Sequence, residues 1–176
     1  MALRLAFVAL LALPLSAPAR GVELVDSVFQ VSFRYAGESF RFSETSVPLL
    51  PANACYDWYV RVSEPSATLA GVERLVLPVP LPDWGALATN PDDGIEIIEN
   101  GEVAVTSFTP EVDTEGWFSH GWCVAVGDPL GPHRFEVSVD GMLLAIFDFE
   151  VVAPENYAWP ALPQPEPHER TVVNSW

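Results

Sequence analysis

The stretch that decides the fold is Trp122-Cys-Val-Ala-Val126, Gly127-Asp-Pro-Leu-Gly131, Phe135-Glu-Val-Ser-Val139, Asp140-Gly141 and Leu143-Leu-Ala-Ile-Phe-Asp-Phe-Glu-Val151. Apolar residues alternate with smaller or polar ones on both sides of the Asp-Pro-x-Gly and Asp-Gly segments. Period-2 runs broken by such turn pairs are the strongest short-range hairpin signal in a sequence. The run therefore predicts three strands in a meander and an antiparallel, all-β domain.

Working outward, the same pattern recurs. Val25, Phe29, Val31, Phe33 and Tyr35 share one face, and Phe40-Arg-Phe42 returns after a turn at Ala36-Gly-Glu-Ser39. Ser46 to Ala54 holds Pro48 and Pro51 and reads as a loop or an edge segment. Tyr56, Trp58, Val60 and Val62 line one face of the next strand. Val72 to Val79 is a further strand; with Pro78, Pro80 and Pro82 beyond it, an edge strand or extended crossover is expected. Glu96 to Glu99, Asn100-Gly101 and Val103 to Ser107 read as a hairpin. Thr109 to His120 reads as a polar loop carrying Trp117 and Phe118. About eight short strands with no amphipathic helix predict a two-sheet sandwich, residues 20–152.

The two ends differ from this middle. Arg4, the apolar run Leu5 to Leu15 and Ala17-Pro18-Ala19 have the layout of a secretory signal, residues 1–19. The apolar run is about half the ~20 residues a membrane span needs. The expected destination is the periplasm or the extracellular space, and no membrane span is expected. Residues 153–176 are rich in proline without periodicity, which predicts an extended tail, free or laid against the domain.

Charge narrows the partners. The chain has 24 acidic residues against 8 arginines and no lysine, a net charge of −16. That field repels phosphate backbones, so nucleic acid is not an expected partner. Another protein or a glycan is. The acidic pairs, Asp92-Asp93 among them, lack the alternating spacing of a calcium loop, so no metal site is assigned. No Gly-x-Ser-x-Gly, His-Glu-x-x-His or glycine-rich phosphate loop is present, and no cofactor or catalytic residue is assigned.

Two side-chain groups remain. Cys55 and Cys123 are the only cysteines, and in an exported chain an even number is expected to pair. Trp84, Trp117, Phe118 and His120 fall in or beside expected loops, where aromatic rings can stack sugars or grip peptides. Burial as core plugs is the competing expectation.

The strand cysteines near tryptophans, with Trp122-Cys-Val-Ala-Val-Gly-Asp-Pro-x-Gly131 and Phe147-x-Phe-x-Val151 after them, resemble bacterial exported immunoglobulin-like domains. The resemblance implies a β-sandwich serving in adhesion, assembly or recognition. Gly121 stands where the antibody type has a Tyr before its second Cys, and Trp58 follows Cys55 by three residues only. The resemblance therefore carries over no functional residue.

Overall fold

A computed structural model describes residues 22–35, 38–63, 68–81, 83–84 and 94–159. The signal-like segment, the Asp92-Asp93 pair, His168 and most of the proline-rich tail lie outside the described residues. Ten strands form two sheets. The first sheet has the order β2-β1-β4-β8, with β1 at Leu24–Tyr35, β2 at Glu38–Phe42, β4 at Ala54–Val62 and β8 at Trp117–Cys123. The second has the order β3-β10-β9-β5-β7-β6. Here β3 is Ser46–Pro48, β5 Gly71–Val76, β6 Ile95–Ile98, β7 Val103–Phe108, β9 Gly131–Val139 and β10 Met142–Val152. The chain changes sheet from β2 to β3, from β3 to β4, from β4 to β5, from β7 to β8 and from β8 to β9. With β4 beside β8 and β5 between β7 and β9, this is the Greek-key connectivity of an immunoglobulin-like sandwich.

Alternation along each strand builds the core, as the sequence pattern demands. Sheet one turns Phe29, Val31, Phe33, Tyr56, Trp58 and Val60 inward. Sheet two answers with Leu75, Phe135, Val137, Val139, Phe149 and Val151. Phe29 stacks on Phe149 at 5.0 Å between ring centres, and Tyr56 meets Phe149 at 4.9 Å. The Asp140-Gly141 turn forms as expected. Both residues have positive φ (50° and 78°), the conformation that suits a tight hairpin between right-twisted strands. The Asn100-Gly101 turn also joins its two strands, through a short 3-10 turn at Glu99–Gly101.

The structure corrects several expectations. Ten strands are present among the described residues, close to the about eight expected. The closing run is not one meander: β8 lies in sheet one, whereas β9 and β10 pair in sheet two. Gly127 to Gly131 therefore bridges the sheets, with the Asp128 carboxylate accepting the Ala125 N–H at 2.8 Å. Val126 leaves the alternation and is 89% exposed. β5 is central, not an edge strand; its prolines begin just beyond Val76, where the ladder has ended. Of the loop and the edge segment expected from Ser46, the structure has the edge strand, Ser46 to Pro48, running parallel to β10. The loop expected over Thr109 to His120 ends at Trp117, where β8 begins. At the start of the tail, Tyr157 is buried against Phe33, and its hydroxyl donates to Glu44. Trp159 also stands edge-on to Phe33 at 5.4 Å.

Candidate functional site: a buried carboxylate beneath an aromatic cleft

Strand β8 positions the site. It is an edge strand of sheet one, antiparallel to β4, with Trp58 opposite His120 and Tyr56 opposite Trp122. Alternation sends Phe118, His120 and Trp122 inward and Trp117, Ser119 and Cys123 outward. Across the interior, β5 turns Glu73 toward them. The Glu73 side chain has no exposed surface.

Three N–H groups from sheet one converge on this carboxylate. Trp122 Nε1 donates to Oε1 at 2.7 Å, Trp58 Nε1 donates to Oε2, and His120 Nδ1 lies 3.0 Å from Oε2. Burying a carboxylate costs several kcal/mol even after relaxation. Hydrogen bonds to a charged acceptor contribute roughly 1.5–3 kcal/mol each, so three of them offset a cost of that size. The arrangement joins the sheets by polar contacts within a largely apolar interior. Thr106, opposite Glu73 in the β5–β7 ladder, is also buried, and its hydroxyl has no hydrogen-bond partner among the described residues.

The carboxylate sets the protonation of His120. Its hydrogen bond holds the imidazole above the ordinary value of 6.5, against the opposing effect of burial, and the charges of Glu73 and Asp57 add to the rise. Nδ1 is engaged with Glu73, and Nε2 has no partner among the described residues. Because the folded pKa is raised, stability from this pair is complete below the unfolded value near 6.5 and is lost as pH rises through the folded pKa. His133 acts with the opposite sign: burial lowers its pKa, so its neutral form is lost at a cost as pH falls. An NMR titration should resolve the two rings, with the His120 midpoint above 6.5 and the His133 midpoint below it. A His120 midpoint at or below 6.5 contradicts the ion pair.

The four aromatic and imidazole residues expected to form a site divide between two places. Trp117, Phe118 and His120 line one cleft of about 570 Å³, together with Tyr59, Phe108 and the loop from Thr109 to Asp113. Phe108 stacks on the His120 ring at 5.9 Å. Glu111 and Asp113 are exposed at this cleft, and Asp113 Oδ1 also accepts the backbone N–H groups of Glu115 and Trp117. The Arg61 guanidinium lies 5.4 Å from the centre of the Trp117 ring. Phe118 is a core plug, edge-on to Trp58 at 5.8 Å. Trp84 belongs to a different hollow of about 200 Å³, beside Trp122, Leu77 and Leu81. Its Nε1 donates to the Gly101 carbonyl at 3.2 Å.

The cysteines are paired. Cys55 and Cys123 stand directly opposite on β4 and β8, with their Cα atoms 3.8 Å apart. The antibody-type bridge spans the two sheets; this one lies within a single sheet, on its outer face. Trp58 points to the other face, away from the bridge.

Sequence reading missed Glu73, Trp58 and Trp122 as one unit. The available signal was the phase of β5: Glu73 falls on the same face as Leu75 and Leu77, which is the buried one. No cluster of three or more His, Cys, Asp or Glu able to hold a metal exists among the described residues. No helix among them is long and apolar enough to cross a membrane.

Fold and interior together define a β-sandwich module with a carboxylate-centred core. The chain belongs to the PM0630 beta sandwich domain family, whose profile matches residues 27–152. No curated protein matches it. Solved structures similar to it include an immunoglobulin-like protein from Pseudomonas aeruginosa, with 12% identity over 77% of this chain and 100% of that one and a TM-score of 0.47. Another is the alkylpurine DNA glycosylase AlkC of Pseudomonas fluorescens bound to DNA containing an abasic site analog. It has 11% identity over 75% of this chain and 30% of that one, with a TM-score of 0.40.

Proposed function

We propose that this chain is an exported, non-enzymatic β-sandwich module that recognises another protein, and that the cleft beside β8 is its binding site. The observation that carries the proposal is the set of rings from Tyr59, Phe108, Trp117 and His120 in one open cleft with exposed Glu111 and Asp113. Aromatic walls with few polar groups are the usual make-up of a recognition pocket. A net charge of −16 steers basic partners toward the surface and repels acidic ones. The intramolecular stacking of Arg61 over Trp117 supports a guanidinium as the group this ring takes. The partner is therefore a protein segment carrying arginine or lysine. The signal-like residues 1–19 and the oxidised cysteine pair support export.

A second reading has one observation in its favour. Tyr59 and Trp117 also line a shallow hollow with Val28 and Gln30 on the outer face of sheet one, a pair on which a sugar ring can stack. A binding array of basic peptides, acidic peptides and glycans separates the two. Basic peptides should bind, acidic ones should not, and Trp117→Ala should weaken binding tenfold or more, the scale of an aromatic hot spot. Binding to glycans alone would overturn the protein-recognition reading in favour of the second. Peptide binding unaffected by Trp117→Ala would remove the cleft from it.

A further inference from the structure

The described residues include five arginines, and three of them are neutralised. Arg61 pairs with Asp26 at 3.5 Å, Arg74 with Glu99 at 3.1 Å and Arg134 with Asp148 at 2.7 Å. Arg34 and Arg41 have no carboxylate within ion-pair distance among the described residues. In a chain with 24 acidic residues, unpaired arginines are the exception, and these two face the same cleft. It is about 610 Å³ in volume and lies on the outer face of sheet one.

The ladder explains why they meet. Arg34 lies opposite Ser39 and Arg41 opposite Ser32, so the two arginines are diagonal neighbours on one face. Diagonal positions in an antiparallel pair are roughly 7–8 Å apart, within reach of long side chains. Ser32 in turn lies opposite Cys55, and Cys55 opposite Cys123. One row across the four strands thus reads Arg41, Ser32, Cys55, Cys123, with the disulfide fixing its far end. Ser32, Ser39 and Asn53 line the same cleft and add polar groups to it. Asp57 is a carboxylate that feels the Arg41 charge. Burial raises the pKa of that carboxyl, and the Arg41 charge opposes part of the rise.

The geometry points to an oxyanion site: a small ligand bearing a carboxylate or phosphoryl group, held between Arg34 and Arg41 with hydroxyl donors from Ser32 and Ser39. A guanidinium fork matches the paired oxygens of either group, and the volume suits a small molecule. The site is separate from the β8 cleft, so either assignment can fail without the other.

The test is an NMR titration of the folded protein with citrate and, separately, with inorganic phosphate, at constant ionic strength. Saturable shifts are expected at the Arg34 and Arg41 Nε–H groups and at the Ser32 and Ser39 amides. The double variant Arg34→Gln/Arg41→Gln should weaken binding tenfold or more. Both side chains are exposed, so the fold should survive; near-ultraviolet circular dichroism checks it. Arg134→Gln, which removes an arginine from sheet two, should leave binding unchanged. Citrate binding without phosphate binding assigns an organic carboxylate, and the reverse assigns a phosphoryl group. Shifts that never saturate, or equal affinity in the double variant, would overturn the site.

Discussion

Glu73→Ala is expected to destabilise the folded protein by about 3–5 kcal/mol, the cost of leaving one side of a buried polar pair without its partner. The substitution strands the Trp58 and Trp122 indole N–H groups inside the sandwich. Each unsatisfied donor costs about 1–3 kcal/mol, and the deleted side-chain atoms leave a cavity as well. His120 suffers less, because it is half-exposed and can turn neutral. Glu73→Gln should cost less than Glu73→Ala, since the amide oxygen still accepts one indole, but its NH₂ group then faces other donors. Urea unfolding followed by tryptophan fluorescence gives both numbers. A loss of less than 1 kcal/mol for Glu73→Ala would mean that the carboxylate does not tie the sheets together. The variant should also lose the raised midpoint of His120, because the hydrogen bond it donates to Glu73 is the largest cause of that rise.

The Cys55→Ser/Cys123→Ser variant is the second large effect, with an expected loss of about 4 kcal/mol from chain entropy. The bridge closes a separation of 68 residues that spans β4 to β8. That interval includes β5, β6 and β7 of the opposite sheet, so the unfolded chain is restrained over much of the sandwich. The loss should also be local. Among the described residues β8 has β4 as its one ladder partner, and without the bridge its amides should exchange with solvent faster than those of β9. Uniform exchange across both strands would place the effect wholly in the unfolded state.

Much of the sandwich is legible in the sequence because its signal is local. Alternation in Tyr56-Asp-Trp-Tyr-Val60 and in Phe147-Asp-Phe-Glu-Val151 identifies strands and their buried faces, and Asp140-Gly141 identifies a hairpin. Pairing between distant strands leaves no such trace. The residues from Trp122 to Val126 look the same whether the next strand pairs beside them or crosses to the other sheet, so β8 was expected in the wrong sheet. The site suffered most from this. Trp117, Phe118 and His120 were visible as unusual residues, and the structure brings Trp117 and His120 to one cleft. Trp84 lies elsewhere, and Phe118 fills the core. Glu73 carries no mark in the sequence that sets it apart from the other acids of an acidic chain. Its burial depends on β5 being central between β7 and β9, which the prolines beyond Val76 argued against.

The central claim is that the β8 cleft, held in place by Glu73 through His120 and Trp122, is a surface for a basic protein segment. The most direct measurement is an NMR titration with an arginine-containing peptide, read at the Trp117 indole and the His120 ring. In the wild-type protein both should shift saturably, together with Phe108 and Tyr59. In Glu73→Gln, which disturbs the cleft from beneath without touching its surface, affinity should fall severalfold or more. No saturable shift at Trp117 or His120 with any basic peptide, or equal affinity in Glu73→Gln, would contradict the account.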